Sequence, residues 1–293
     1  MPNSVFVVIP VFNRIDMTRR CLSSLRQQDS GGCTIIVIDD GSTDGTSEII
    51  RREFPEVHLI AGTGSLWWSG AMNIGVSRAL EMGADYVLAL NNDLAIGQGF
   101  LTIARALCID QPRAIIGSVV VSNDDQDTIL DGGCRLNKLT AKRENLNVGS
   151  SLIKISDSTG LEKVDVLTGR GTLIPRQAFD EIGNFDARRL PQYGADYEFC
   201  IRASNKGYGL LVSYKMKVIM LEDMKNLEHR YSSESWGRIV RGYFDRKSSS
   251  CLLYRWRFAY LSYGHLKGSI YFLFDTGRSV IGSFLMKLGL AES

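Results

Sequence analysis

The chain has 293 residues, of which 44% are hydrophobic and 23% charged, with a formal net charge of +2. That length and mix suit one large or two modest globular domains with a sizeable core. So weak a charge excludes a polyelectrolyte nucleic-acid binder, and no basic-aromatic RNA-binding signature occurs.

Six cysteines, at 21, 33, 108, 134, 200 and 251, form no C-x-x-C pair. This is the usage of free buried thiols in a reducing compartment rather than of disulfides or a zinc knuckle. The first strand begins at Val5, leaving no space for a signal peptide. No apolar run reaches the ~20 residues that span a bilayer, because the best stretch, 268–286, is cut by Asp275 and Arg278. The expectation is a cytoplasmic protein, acting in solution or at the inner face of the cytoplasmic membrane.

In chain order, residues 5–9 read as an apolar strand stopped by Pro10, and the helix that follows puts Met17, Cys21, Leu22 and Leu25 on one face. A strand at 34–38 leads through a turn at 39–45 into a helix at 44–53. A strand at 57–61, a helix at 70–82 and a strand at 85–90 come next, then a helix at 99–109 and a strand at 114–121. Strands alternating with helices of this length predict βαβ units and a parallel sheet. The turn-rich stretch 122–159 suits an antiparallel addition to it. An ordered piece at 164–175, a short helix at 177–182, a helix from about Ala195 and apolar stretches at 210–213 and 218–221 complete the pattern. Neither a mononucleotide P-loop nor a dinucleotide glycine fingerprint is present.

Two of the predicted strands end in acidic tips. Residues 34–38 run into Asp39-Asp40-Gly41-Ser42, and 86–90 stop on Asn91-Asn92-Asp93. In an open parallel sheet the ligand crevice lies outside the carboxyl ends of the strands, so these polar tips are candidate site residues as well as candidate turn and helix caps.

The segments VVIPVFNR (7–14), VIDDGSTDGT (37–46), LWWSGAMNIGVSRAL (66–80), DYVLALNND (85–93) and LPQYGADYEFCIRASNKGY (190–208) occur in that order. Together they resemble the inverting family 2 glycosyltransferases of GT-A fold, in their bacterial rhamnosyltransferase-like branch, over residues 4–222. The resemblance implies an α/β architecture: a Rossmann-like, mostly parallel central sheet flanked by helices. Residues 1–228 would be the transferase domain, with a nucleotide-binding half at about 1–121 and an acceptor-side half at about 122–228. It implies a nucleotide-diphosphate sugar donor, UDP- or dTDP-linked, a glycan or lipid-linked acceptor, and a divalent Mg²⁺ or Mn²⁺ ion.

Residue by residue, the resemblance assigns Asp39 or Asp40, with Asp39 preferred, to the nucleotide base or ribose, beside a wall of Pro10, Val11 and Asn13. Asp93 becomes the metal ligand, and Asn91 and Asn92 contact ribose or phosphate; hard cations take carboxylate, phosphate and water oxygens, often with one or two protein carboxylates. The triplet departs from the family in having one carboxylate instead of two. Trp67 and Trp68 cannot both point inward from a strand, so one, taken as Trp68, faces the crevice; Asn73 reaches toward the pyrophosphate. Gly169, Arg170 and Gly171 let backbone approach the donor sugar.

The stretch Ala195-Asp196-Tyr197-Glu198 aligns with the family's Glu-Asp-x-Asp form, which makes Asp196 the general base and Glu198 a second acid, with Arg202 orienting Glu198 or a phosphate. A helix start is expected to keep Asp196 ionised. His229, in KNLEHRYSS, is either a further metal ligand or a surface residue, the latter being the favoured reading.

Residues 229–293 form a basic, aromatic-rich helical extension. From Arg230 to Ser293 there are ten Lys/Arg against four Asp/Glu and thirteen of the 27 aromatics. Such a face suits an anionic lipid surface or an intramolecular cap over the acceptor site. Two other functions remain compatible with the sequence: a nucleotidyltransferase, although PVFNRID has a single Arg14, and an inactive carbohydrate-binding scaffold, since Asn91, Asn92 and Ala195 replace acids.

Overall fold

A computed structural model describes residues 4–28, 33–156, 160–222 and 235–287. The first half alternates β1 (Val5–Val11), α1 (Ile15–Arg26), β2 (Thr34–Asp39), α2 (Thr46–Glu53), β3 (His58–Ala61), α3 (Trp67–Glu81) and β4 (Tyr86–Ala89). It continues with β5 (Leu94–Ile96), α4 (Phe100–Asp110) and β6 (Ala114–Val121). Strand β1 pairs in parallel with both β2 and β4, and β2 with β3. Successive residues of β1 face opposite sides. Phe6 and Val8 enter one core with Met72 and Val76 of α3, whereas Val7 and Ile9 enter a second with Cys21 and Leu22 of α1 and Phe100 of α4. Burial on both faces is why these strands read as unbroken apolar runs. Helix α3 lies so close to the sheet that a Cβ at Gly75 would overlap Val8 and Ile38.

The second half comprises β7 (Ile129–Asp131), β8 (Cys134–Leu136), β9 (Arg143–Asn145), α5 (Leu152–Ser156), β10 (Leu161–Lys163), β11 (Thr172–Pro175), α6 (Arg176–Ile182), α7 (Ala195–Asn205) and β12 (Gly209–Met220). Its strands join the same sheet, in the order β10-β12-β6-β11-β4-β1-β2-β3, with β5 on β12 and β7 on β6. Strand β11 is antiparallel to both β4 and β6. The expected mostly parallel sheet with antiparallel additions is what forms, and β8 and β9 make a separate two-stranded ribbon.

Three details differ from the sequence reading. Residues 164–175 split into a loop and the short β11. The stretches 210–213 and 218–221 belong to one strand, β12, interrupted by a register shift between Ser213 and Lys217. Helix α3 starts at Trp67, so the two tryptophans open a helix and do not lie on a strand.

The extension forms α8 (Trp236–Gly242) and α9 (Leu252–Lys287), the latter broken at Gly264, where φ is 73°. The two arms of α9 fold back on each other, with Arg255 Nη1 2.6 Å from Asp275 Oδ2 and the Phe258 and Tyr271 rings 5.8 Å apart. Tyr254, Phe258, Ala259 and Tyr271 are buried in the same core as Phe199 of α7. No helix among the described residues is long and apolar enough to cross a membrane, and all six cysteines are free.

Candidate active site

The carboxyl ends of β1, β2 and β4 converge on a crevice of about 580 Å³. Of the predicted residues, Pro10, Val11 and Asp40 line it on one side, and Trp68, Asn91, Asn92 and Asp93 on the other. The sequence reading missed several more: Phe12 and Arg14 after β1, Ser65 and Gly64 before α3, Gln192 and Tyr193 before α7, and Lys247 from the extension. Trp67 lines it together with Trp68, so both tryptophans contribute to the crevice wall.

Asp40 organises this wall. Its buried carboxylate accepts the N–H groups of Gly64 at 2.7 Å, Leu66 at 2.8 Å and Trp67 at 3.1 Å, which fixes the entry to α3. The preference for Asp39 at the crevice is corrected. Asp39 is turned to the N–H of Ser42, at 2.9 Å, and the hydroxyl of Ser47, and it is not part of the lining. Asn13 also serves the turn: its N–H donates to Ser42 Oγ at 2.7 Å and its Oδ1 accepts the Thr43 N–H at 2.8 Å. Asn13, Arg14 and Trp67 all adopt positive φ, at 59°, 64° and 58°. Such conformations cost of order 1–3 kcal/mol each and concentrate at functional sites; here two of them, Arg14 and Trp67, line the crevice.

The triplet occupies the turn between β4 and β5 and is held from two sides. Trp68 Nε1 donates to Asn91 Oδ1 at 2.9 Å, and Asn92 Nδ2 donates to Thr18 Oγ1 of α1 at 2.9 Å. Asp93 is left as its charged member, with Arg14 Nη1 at 3.9 Å, and the same guanidinium lies 3.9 Å from Glu222, just past β12. Burial pushes the Asp93 carboxyl above its ordinary range, opposed by Arg170 and Arg14. No group of three His, Cys, Asp or Glu side chains that could hold a metal exists among the described residues. A hard cation fits this donor set only as one carboxylate, Asp93, completed by substrate phosphate and water oxygens. His229 lies outside the described residues.

Asp196 lies in the first turn of α7 and is not among the residues that line the crevice, although Gln192 and Tyr193 of the preceding loop are. Its Oδ1 accepts the Tyr197 N–H at 2.9 Å and its Oδ2 the Gly169 N–H at 3.3 Å. Burial raises its pKa, against those two N–H groups and the charge of Arg170. The direction is opposite to the one expected from the helix start, because desolvation outweighs those hydrogen bonds and the Arg170 charge.

Three further expectations are corrected by what these side chains touch, whereas Arg202 orients Glu198 as expected. Asn73 brackets the backbone of Phe185, donating to its carbonyl at 2.8 Å and accepting its N–H at 3.1 Å. Glu198 is buried and accepts from Arg202 Nε at 2.7 Å. Arg202 spends its remaining donors on the carbonyls of Ile182 and, at 2.9 Å, Asn184, so this pair braces α7 against the loop after α6. Gly169 makes room for protein, since a Cβ there would lie inside the Trp68 indole, and Gly171, at φ 82°, packs on Ser118. Arg170, between them, is half-buried.

Residues 6–183 match the family described as Glycosyl transferase family 2. The chain belongs to glycosyl transferase family 2. This transferase-family chain is 24% identical over 213 residues to the dTDP-rhamnosyl transferase RfbF of Shigella flexneri, covering 72% of this chain and 66% of that protein. It is 25% identical over 207 residues to an N-acetylglucosaminyl-diphospho-decaprenol L-rhamnosyltransferase of Mycobacterium tuberculosis, covering 64% and 66%. The family 2 chain thus spans about two thirds of the length of these curated relatives. Among solved structures it is similar to GalNAc-T7 with UDP, GalNAc and Mn²⁺, with a TM-score of 0.61 and 15% identity over 97% of this chain and 55% of that one. S. aureus TarS 1-349 in complex with UDP gives 0.54 and 13%, covering 95% and 92%. The fold of this family 2 protein is therefore GT-A.

Proposed function

We propose that this protein is an inverting glycosyltransferase that moves a sugar from a UDP- or dTDP-linked donor to a hydroxyl of a glycan or lipid-linked acceptor in bacterial surface polysaccharide synthesis. The names of the rhamnosyltransferase relatives favour dTDP-rhamnose as donor. The observation that carries the reading is the crevice at the carboxyl ends of β1, β2 and β4, which Asp40, Asn91, Asn92 and Asp93 line. The charge of Arg170 acts on both Asp93 and Asp196, two carboxylates suited to opposite ends of a glycosyl transfer.

The domain would comprise residues 1–228, with nucleotide recognition in 1–121 and acceptor recognition in 122–228. The Asp40-ordered turn, Pro10, Val11 and the two tryptophans form the nucleotide wall. Asp93 would hold a Mg²⁺ or Mn²⁺ ion together with the donor's diphosphate oxygens, and that ion supplies charge neutralisation to the leaving diphosphate. Asp196 takes the acceptor hydroxyl's proton as the new O–C bond forms at the anomeric carbon and the bond from that carbon to the diphosphate oxygen breaks. A base whose pKa is raised toward working pH suits that role.

The extension would meet the anionic membrane surface where a lipid-linked acceptor resides. Phe244, Leu266, Leu273 and Phe274 are exposed among basic residues, and Asp275, one of its few acids, is buried. Titration of UDP and dTDP into the protein with Mn²⁺ tests the donor site. Wild type should bind at least one of them, and Asp93→Ala should lose the Mn²⁺-dependent part. Equal affinity in both proteins removes Asp93 from the site, and absent donor hydrolysis favours the scaffold.

A further inference from the structure

Lys247 is the residue of the extension that enters the crevice lining. It stands in the link between α8 and α9, and its placement is over-determined. The Lys247 N–H donates to Asp245 Oδ1 at 2.8 Å, and the Ser248 N–H donates to the Asp245 carbonyl at 3.0 Å, closing a turn. The Leu252 N–H returns to the Tyr243 carbonyl at 2.9 Å, and Cys251 is buried just beyond.

The turn is tied to the crevice lip before α7. The Tyr193 hydroxyl donates to the Lys247 carbonyl at 3.3 Å, Arg257 Nη1 donates to the Arg189 carbonyl at 3.0 Å, and Phe258 packs on Gly194. Tyr193 and Gln192 of that lip line the crevice, and Gln192 Oε1 accepts the Trp68 N–H at 3.1 Å.

The charges at the crevice show what Lys247 is suited to meet. Asp40 is saturated by three backbone N–H groups, and Asp93 shares its charge with Arg14. Lys247 is exposed, lines the crevice and forms no ion pair among the described residues. A cation held at the rim of a site by a braced turn is matched by an anion on the incoming ligand.

We propose that Lys247 is a substrate-binding residue supplied by the C-terminal extension, which contacts a phosphate of the diphosphate ester in the crevice. The extension is then part of the active site. The inference rests on the transferase reading but goes beyond it, because the same phosphate chemistry can arrive on the donor or on a diphosphate-linked acceptor.

The test uses the full chain and compares wild type, Lys247→Ala and Lys247→Arg in calorimetric titrations with UDP, dTDP, thymidine and farnesyl diphosphate. The expected result is nucleoside diphosphate binding about ten- to a hundredfold weaker in Lys247→Ala, the scale of one lost charged hydrogen bond. Arg should restore it, and thymidine binding should not change. Weakening confined to farnesyl diphosphate assigns the contact to the acceptor. Unchanged binding of every phosphate ligand in Lys247→Ala overturns the inference while leaving the transferase reading standing. A wild-type protein that binds no nucleoside diphosphate overturns both.

Discussion

At the scale of single residues, burial and hydrogen bonding act on Asp196 in opposite directions, and burial prevails. Its ionised form is disfavoured by the fold, so its contribution to stability is full below the unfolded pKa of about 4 and is lost as pH rises through the raised folded value. Asp196→Asn should therefore melt at or above the wild-type temperature at pH 7 by calorimetry, and a clearly lower Tm would mean that the carboxylate braces α7. In the wild type the acid limb of transfer should lie above the usual carboxylate range in a pH–rate profile. Asp40→Ala leaves three N–H donors at the start of α3 without a partner, and urea unfolding should show a loss of about 3 kcal/mol or more. The acids and amides of the site were visible in the sequence, but their partners were not. Asn73 and Arg202 have side chains suited to phosphate, yet both are committed to backbone at 182–185, a contact spanning over a hundred residues for Asn73 that no local pattern reveals. Glu222 and Arg14 went unassigned for the same reason, since residues far apart in the chain come within 3.9 Å only in the folded protein.

Among elements, the readable strands were β1, β2, β4 and β6, which are sealed on both faces and hence continuously apolar. The three-residue strands β5, β7, β8, β9 and β10 carry no period of their own and exist because a longer partner supplies the ladder. The start of α3 shows how a loop becomes a binding wall. Its first turn depends on Asp40 from β2, and its Trp68 links Asn91 after β4 to Phe185 before α7, the two rings being 5.2 Å apart and edge to face. Gly169→Ala forces a methyl into that indole, and overpacking of this kind typically costs about 1–3 kcal/mol. Urea unfolding should register the loss. Donor affinity should fall with it, because the Asn91 contact moves with the ring; undiminished affinity would show that the triplet holds its place without Trp68.

Across the whole molecule, the extension is joined to the transferase core by a buried polar centre. Asp275 receives Arg255 at 2.6 Å and Arg143, from β9, at 3.5 Å. Asp275→Ala strands Arg255 in a buried setting, and removing one partner of such a pair costs about 3–5 kcal/mol, readable as a large drop in Tm. Its basic, aromatic composition marked the tail as a separate zone, but the turn at Gly264 that buries Tyr271 against Phe258 left no comparable signal. The outer face keeps Leu266 78% and Leu273 69% exposed. The double variant Leu266→Glu/Leu273→Glu should release the folded protein from phosphatidylglycerol vesicles in sedimentation; equal retention would place membrane contact elsewhere. The proposed function has the donor held in the crevice and assigns the proton transfer to Asp196. The most direct measurement is single-turnover sugar transfer by Asp196→Asn with nucleotide binding measured on the same sample. The predicted result is wild-type nucleotide affinity with transfer slower by at least ~10²-fold, the range of a positioned general base. Transfer at the wild-type rate would contradict it and move the base to another carboxylate.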